Sequence, residues 1–251
     1  MFSQTLFLGL AGFIAAFVDS IAGGGGIVSL PAFLAAGVPP HFALGTNKFA
    51  STAASLVSSL TYTRSEKVDF QLLKYLIPFT LIGAICGARI VLKIDQRFLY
   101  IMVLVLVLGV GIYSLFSKKF GETELLPEIN RSNIISGILL AFSLGFYDGF
   151  FGPGTGSFLM FGLMALYHFD FIHASANARV LNFVSNISAL AIFVIHRQVN
   201  YTIGLPVLLA MICGAGLGSK MALNKGVKLV KPIFILMSLA VAIKMLFSLI
   251  K

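Results

Sequence analysis

Charged residues are scarce in this sequence: they make up 11% of its 251 residues, against roughly 25% in a soluble globular protein. Hydrophobic residues make up 58%, and the mean hydropathy is +0.98. This composition excludes a cytosolic enzyme with its own folded catalytic domain, and the scarcity of alternating polar and apolar residues argues against an outer-membrane barrel. The sequence therefore predicts an all-α polytopic membrane protein.

Cysteines are few and the common catalytic motifs are missing. Cys86 and Cys213 lie inside apolar runs, where small packing residues are expected rather than a disulfide or a metal pair. No CxxC, HExxH or phosphate-binding P-loop motif occurs, and the four histidines show no ligand spacing. We therefore expect no enzyme activity, no metal, no cofactor and no ATP-driven pump.

Positive charge dominates, with a net charge of +9 that in a soluble protein would suggest nucleic acid. Most Lys and Arg lie in short connections between apolar runs, where retention on the cytoplasmic side explains them, so no nucleic-acid partner is expected. The lipid bilayer is the expected surrounding, and homo-oligomerisation stays open. The first basic residue is Lys48, so we expect no cleaved signal peptide and a first helix that is retained.

Apolar runs between polar or Pro/Gly punctuation predict the membrane spans, each of which needs about 20 apolar residues. Runs of this length lie near residues 4–22, 42–62, 72–92, 98–117, 132–150, 173–195, 201–219 and 232–250. Two further runs, 27–36 and 156–167, are too short and follow glycine-rich segments. Each is a candidate half-helix joined to its predecessor by an unwound hinge.

The two short runs belong to a tandem duplication, because three motifs recur at nearly one offset. The pairs are Asp19-xxx-Gly23-x-Gly25 with Asp148-xxx-Gly152-x-Gly154, Asn47-Lys48 with Asn177-Ala178-Arg179, and Ile85-Cys86-Gly87-Ala88 with Ile212-Cys213-Gly214-Ala215. These matches predict a first transmembrane repeat over 1–117, a polar connection over 118–131 and a second repeat over 132–251.

The distribution of Lys and Arg predicts how the two repeats are oriented. With eight simple spans, the connections collect eight basic residues on one side and seven on the other. If each short run returns the chain to its starting side, as a hairpin or as an extra crossing, the count becomes ten against five. The positive-inside rule then favours two inverted repeats, each of about four full transmembrane helices plus one glycine-hinged half-helix or short helix, with both termini outside.

Inverted repeats with glycine-interrupted short helices in matching places are typical of a transport site at the midplane. A half-helix that begins inside the membrane has unpaired N–H groups and partial positive charge at that end, and glycines let an anion approach the backbone. The alternative is that the glycines only permit close helix packing. The candidate substrate-binding residues of the hinges are Gly24, Gly25, Gly26, Gly154, Thr155 and Gly156.

Lys48 and Arg179 are the candidate cations, because Lys or Arg at a span centre costs about 2.5–3.5 kcal/mol on insertion scales and tends to be kept for function. Each begins a polar face at the spacing i, i+3, i+7 of one helix side. Together with nearby amides and hydroxyls they describe a site for a small polyoxygen anion. The alternative is that both cations snorkel to an interface. The further candidate donors are Asn47, Ser51, Asn177 and Asn182.

Asp19 and Asp148 hold equivalent positions before the two hinges. Three roles stay open for them. They cap the unwound segment or its half-helix by accepting backbone N–H bonds, they carry a coupling proton, or they pair with Lys48 and Arg179.

Two stretches of the sequence carry a family resemblance. The first contains Gly12-Phe13, Gly23-Gly24-Gly25-Gly26, Leu30-Pro31, Gly37-Val38-Pro39-Pro40 and Ala43-Leu44-Gly45-Thr46-Asn47-Lys48; the second is Gly145-Phe146-Tyr147-Asp148-Gly149-Phe150-Phe151-Gly152-Pro153-Gly154-Thr155-Gly156. These motifs, the span count and the duplication resemble the sulfite exporter TauE/SafE family of membrane permeases over essentially the whole chain. The resemblance implies transport of small anions, commonly sulfur-containing ones such as sulfite or organosulfonates, across the bacterial inner membrane without a nucleotide-binding partner.

The combined prediction is a multi-pass inner (plasma) membrane protein that acts as a secondary transporter for a small, sulfur-containing anion. The two repeats would exchange access to a midplane site, where Lys48 and Arg179 neutralise the substrate and the half-helix N–H groups orient it. An anion channel with a continuous pore is the alternative, since it needs the same donors.

Overall fold

The computed structural model describes residues 2–103, 105–106 and 131–225, and every regular element in these ranges is an α-helix. The all-α prediction, with its two short helices, is confirmed. The predicted connection as far as residue 130 and the predicted span 232–250 lie outside the described residues, so the repeat boundaries and the inverted orientation stay predictions. The helices are α1 Phe2–Ala22, α2 Gly26–Ala35, α3 Pro40–Arg64, α4 Phe70–Val91, α5 with the described residues 96–103 and 105–106, α6 Arg131–Phe150, α7 Thr155–Tyr167, α8 Phe171–Ile195 and α9 Tyr201–Lys225.

Five of the described helices are long and apolar enough to cross a membrane: residues 3–22, 70–91, 132–150, 171–195 and 201–224. Helix α3 has 25 residues, and at 1.5 Å per residue its length of about 37 Å matches a span. Its many Ser and Thr residues, together with Asn47 and Lys48, make it too polar to be counted with the five. Most of these polar side chains are buried among the other helices. Large apolar side chains such as Leu10, Leu139 and Leu209 face outward, so the polar groups lie inside and the apolar surface meets lipid.

The helix starts recur along the chain. Helix α2 begins at residue 26 and α7 at 155, which are 129 residues apart. Helices α3 and α8 begin at 40 and 171, and α4 and α9 at 70 and 201, which are 131 residues apart in both cases. Helix α7 is three residues longer than α2, and the connection that follows it, 168–170, is one residue shorter than 36–39, so every later match between the halves shifts by two residues.

The helices of the two sequence halves exchange partners. Helix α9 packs against α1 and α3, whereas α4 packs against α6 and α8. We name α1, α2, α3 and α9 unit 1, and α4, α6, α7 and α8 unit 2. The main contact between the units is that of α3 with α8. Each unit therefore combines three helices from one half of the sequence with one helix from the other.

Glycines bring the exchanged helices into close contact. A Cβ atom on Gly214 of α9 would overlap the carbonyl oxygen of Phe13 in α1, and one on Gly87 of α4 would overlap the carbonyl oxygen of Phe146 in α6. Lipid supplies no hydrophobic drive for helix association, so the dispersion contacts of closely spaced backbones stabilise such pairs. Close helix packing, which was the alternative explanation for the hinge glycines, is therefore the role of these other glycines at the α1–α9 and α4–α6 contacts.

Candidate functional site

Two glycine hinges interrupt the helices at the predicted places. Between α1 and α2 the backbone of Gly23 and Gly24 has φ angles of 82° and 91°, and between α6 and α7 that of Gly152 and Gly154 has φ angles of 100° and 86°. These left-handed conformations are strained for a residue with a Cβ atom. Glycine is therefore required at the points where the chain leaves one helix and begins the short one.

The two hinges lie against each other, so the N-terminal ends of α2 and α7 meet. A Cβ atom on Gly23 would overlap the backbone nitrogen of Ser157, and one on Gly26 would lie 2.9 Å from the Cα atom of Pro153. The Ser157 hydroxyl donates a hydrogen bond of 2.9 Å to the carbonyl oxygen of Ala22 at the end of α1. Two positively polarised helix ends therefore come together at the boundary between unit 1 and unit 2.

Two buried ion pairs connect the sequence halves crosswise. Lys48 Nζ lies 2.9 Å from Asp148 Oδ2, and both side chains are 3% exposed. Arg179 Nη1 lies 2.7 Å from Asp19 Oδ2, with the Arg179 side chain fully buried and that of Asp19 26% exposed. The burial of both cations excludes the snorkelling alternative. Each cation pairs with the acid of the other half, and each pair also joins unit 1 to unit 2.

Further hydrogen bonds hold the two carboxylates. Asp19 Oδ1 accepts the N–H of Gly25, the residue before α2, at 3.0 Å. Ser185 Oγ donates to Asp148 Oδ2 at 2.6 Å. Asp19 thus combines two of the three roles considered for it, because one oxygen binds the hinge backbone and the other binds a cation.

A cavity with about 440 Å³ of space between atoms, its mouth included, lies between the two units beside both ion pairs. Lys48 lines this cavity, and its ammonium donates to Asn186 Oδ1 at 3.1 Å. Polar groups that were not among the predicted site residues, such as Ser29 and Gly152, add to the lining. The predicted residues that the cavity brings together are Asp19, Gly25, Gly26, Asn47, Lys48, Ser51, Asp148, Gly156 and Asn182.

The remaining predicted residues lie outside this lining: Gly24, Gly154, Thr155, Asn177 and Arg179. The Thr155 hydroxyl donates to the carbonyl oxygen of Gly152 at 2.7 Å and so closes the hinge turn. Arg179 stands directly behind Gly156, since a Cβ atom on that glycine would lie 3.1 Å from Arg179 Cζ. Two nitrogens of this guanidinium, Nε and Nη2, are buried without a hydrogen-bond partner.

Asn177 has a structural role that its sequence match with Asn47 does not predict, because it binds the backbone just before α4. Asn177 Oδ1 accepts the N–H of Asp69 just before α4, at 3.0 Å. In the other half Thr46 Oγ1 accepts the N–H of Asn200 just before α9, at 2.9 Å. Asn177 therefore corresponds to Thr46, and the same register makes Arg179 the counterpart of Lys48. The match of Asn177 with Asn47 is displaced by one residue.

Ser185 is a functional candidate that sequence reasoning missed. Its hydroxyl holds Asp148, the partner of Lys48. The signal was present, because Ser185 lies three residues after Asn182 and therefore on the same side of α8. Its counterpart at the offset of 131 is Ala54, an apolar residue, so no matching polar position in the first half drew attention to it.

The cavity is electrically balanced rather than positive. Lys48 and Arg179 would attract an anion, but Asp148 and Asp19 stand against them at 2.9 and 2.7 Å. With both pairs ionised these four charges add to zero. In this arrangement both cations are therefore paired with carboxylates, and their predicted role in neutralising a substrate stays a prediction. Among the residues that the structure describes, no three His, Cys, Asp or Glu side chains gather as metal ligands.

Asp170 is a titratable group away from the cavity, at the start of α8. Its carboxylate accepts the N–H groups of Ile172 and His173 at 2.7 and 3.0 Å and also pairs with the His173 imidazole. Partial burial raises the pKa of this carboxyl, but the hydrogen bonds from His173 and Ile172 outweigh it, so the pKa lies below its usual value. This group is an N-cap that is most effective when ionised.

Comparison with known proteins gives one consistent result. The family model described as "Sulfite exporter TauE/SafE" matches residues 8–245. A "Probable membrane transporter protein" of Haemophilus influenzae is 37% identical over 237 residues, which cover 94% of this chain and 92% of that protein. A "Probable membrane transporter protein ORF9" of Sinorhizobium sp is 37% identical over 248 residues, with 98% and 93% covered. The "Probable membrane transporter protein YfcA" of Escherichia coli K12 is 35% identical over 246 residues, with 97% and 91% covered. No solved structure matches the chain.

Proposed function

The chain belongs to the sulfite exporter TauE/SafE family of membrane transporters, and from this premise we propose that it is a secondary transporter of a small, sulfur-containing anion. Sulfite and organosulfonates are the substrate class, and alternating access in the inner (plasma) membrane is the mechanism. The observation that carries the proposal is the polar cavity between unit 1 and unit 2, at the point where both hinges meet. Two short helices that begin inside the protein beside a buried cation suit an anion.

Several groups of the cavity have specific roles in this proposal. The Lys48 ammonium supplies the positive charge that faces the substrate. Ser51 and Asn182 supply neutral donors for the sulfonyl oxygens, and Gly25 and Gly26 let those oxygens approach the start of α2. Arg179 acts through Gly156, whose missing side chain leaves the guanidinium next to the cavity.

Alternating access then takes place between unit 1 and unit 2 rather than between the two halves of the sequence. Close glycine contacts hold α1 to α9 and α4 to α6, so these pairs move as bodies. Between the units lie the cavity, the α3–α8 contact and both ion pairs. Buried ion pairs have discrete partners, so a change of partner is a suitable event to link substrate binding to the motion.

The first test is flux. Purified protein in liposomes should show saturable, counterflow-competent uptake of sulfite, thiosulfate or an organosulfonate, and Lys48→Ala and Arg179→Ala should each lower it at least tenfold. Lys220→Ala is the matched control, because this exposed lysine of α9 lies away from the cavity lining. Unchanged flux in both site variants would contradict the anion site. Conductance under voltage without counterflow would favour an anion channel instead.

The second test follows the moving bodies by distances between spin labels on a cysteine-free background. Leu10 and Leu209 are exposed, lie in opposite sequence halves and belong to unit 1, so their distance should stay constant when substrate is added. Leu10 and Ile82 lie in the same sequence half but in different units, so their distance should change. The reverse pattern would show that the sequence halves move as bodies and would refute the exchange of units in the transport cycle.

A further inference from the structure

Asp19 already occupies, as an internal anion, donors that a substrate anion would need. Its Oδ2 accepts from Arg179 Nη1 at 2.7 Å and its Oδ1 accepts the Gly25 N–H at 3.0 Å. This carboxylate lines the cavity and is 26% exposed, whereas the Asp148 side chain is 3% exposed. A small anion entering the cavity therefore meets Asp19 as the accessible competitor for a guanidinium and for the start of a half-helix.

The charges around Asp19 leave no room for a further negative charge. Helix α8 contributes Arg179, α3 contributes Lys48 and the hydroxyl of Tyr62, and α6 contributes Asp148. Helices α2 and α7 carry no charged residue, and α9 contributes only Met211 to the lining. A monovalent anion would thus give this buried cluster a net charge of −1, which is as unfavourable as burying an unpaired ion.

Arg179 has unused hydrogen-bonding capacity that suits an oxyanion. Its Nη1 is taken by Asp19, while its Nε and Nη2 are buried without a partner. These two nitrogens form one edge of the guanidinium, which matches a polyoxygen anion in bidentate fashion. Gly156 keeps the way to this edge open, since any side chain there would press on the guanidinium.

We propose that Asp19 takes up a proton when the substrate anion binds, so that one proton and one anion cross the membrane together. The proposal rests on the transporter function proposed above. Protonation changes the Asp19 carboxylate to a neutral carboxylic acid and breaks its charge pairing with Arg179, and the anion replaces the carboxylate as the partner of the guanidinium. The cluster returns to zero charge with a monovalent anion. Asp148 keeps its charge because Lys48 and the Ser185 hydroxyl both hold it.

Replacement of the Asp19 carboxylate by the anion also explains how substrate binding would allow unit 1 and unit 2 to move relative to each other. The Arg179–Asp19 pair joins unit 2 to unit 1, and protonation removes the charge that holds it. The same proton weakens the bond from the Gly25 N–H, because a neutral oxygen is a poorer acceptor than a carboxylate. Proton and anion together therefore release one cross-link between the units, whereas either alone leaves an unbalanced charge in the cavity.

The test measures proton and anion movement together in liposomes that contain the purified protein. Isethionate and thiosulfate are the probes, since neither titrates near neutral pH, and a pH-sensitive dye is trapped inside. One proton should enter per isethionate, and a proton gradient of one pH unit should concentrate isethionate about tenfold on the more alkaline side, without a response to voltage. Thiosulfate with one proton carries net charge and should respond to voltage.

The variant arm assigns the proton to Asp19. Asp19→Asn should keep downhill isethionate flux but lose proton movement and gradient-driven accumulation, and Asp95→Asn, at an exposed carboxyl outside the cavity lining, should behave as the wild type. If Asp19→Asn fails to fold, the wild-type stoichiometry alone decides the coupling. Saturable flux without proton movement would overturn the coupling and leave the transporter standing. Coupled flux in Asp19→Asn would overturn the assignment to this residue. No flux of either probe or of sulfite in the wild type would overturn the proposed function itself.

Discussion

The crosswise ion pairs predict which double variants restore stability. Replacing Lys48 by Met leaves Asp148 in a site where it is 3% exposed, with the Ser185 hydroxyl as its remaining donor. Removing one partner of a buried pair costs about 3–5 kcal/mol. For a chain of this size that corresponds to a fall in the apparent melting temperature of about 6–20 °C.

The partner substitution decides the pairing. Asp148→Asn added to Lys48→Met removes the stranded charge and keeps an acceptor for Ser185, so most of the lost stability should return. Asp19→Asn added to Lys48→Met should bring no recovery, because Asp19 is bound to Arg179. The assay is heating of the detergent-solubilised protein at a fixed rate, followed by size-exclusion chromatography of what stays folded. Recovery by the Asp19 variant instead would refute the crosswise arrangement and restore pairing within each half.

Three further predictions concern single positions. Gly214→Ala should lower the free energy of unfolding by about 1–3 kcal/mol, because the new Cβ would overlap a backbone oxygen of α1. Gly216→Ala is the control and should be close to neutral, because the nearest atom would be 3.7 Å away. Thermal unfolding compares the two variants. Asp170→Ala should cost about 0.5–2 kcal/mol as a lost N-cap. Because folding lowers the pKa of Asp170, the wild type should be more stable than Asp170→Asn above the carboxyl's unfolded pKa, and this advantage should disappear as the pH falls through the folded value in melting curves. Asn177→Ala should lower stability by about 1 kcal/mol and leave the KM for the transported anion unchanged, because its side chain binds the Asp69 backbone. Asn47→Ala should raise KM, because Asn47 lines the cavity. A raised KM in Asn177→Ala would place Asn177 at the substrate.

The helices and hinges could be predicted because their signals are local. The motif Asp19-xxx-Gly23-x-Gly25 and its repeat predicted the two unwound segments. The apolar runs of α2 and α7 are shorter than a full span, which predicted that these helices are short. Lys48 was predicted because charged residues are rare inside membrane spans, and Asn182 because it shares a helix face with Arg179. Both residues line the cavity.

The pairing of the charges was not predictable from those signals. Asp19 precedes Lys48 along the chain, but its cation is Arg179, 160 positions away, because α3 packs against α8 and the two hinges lie against each other. These contacts join the two halves of the sequence, and local patterns within one half do not record them.

The register error in the third repeated motif has a physical cause. The Ile-Cys-Gly-Ala match equates Gly87 with Gly214, yet it is Gly83 and Gly214 that meet equivalent residues of their partner helices, Phe142 and Phe13. Small residues recur at every turn of a tightly packed helix, so a similarity shifted by one turn looks as good as the true one. Neighbour contacts distinguish the two alignments.

The exchange of helices also sets the order in which the protein can be built. Helix α1 is synthesised first, but its glycine-fitted partner α9 begins about 180 residues later, which at ordinary translation speeds is a delay of roughly 10–35 s. During that time the surface of α1 that will meet Gly214 and Gly218 lacks these two contacts. A nascent first half is therefore an incomplete body that must be held in the membrane, by lipid or by an insertion chaperone, until the second half arrives. We expect the two halves, expressed as separate polypeptides, to be degraded singly and to survive together.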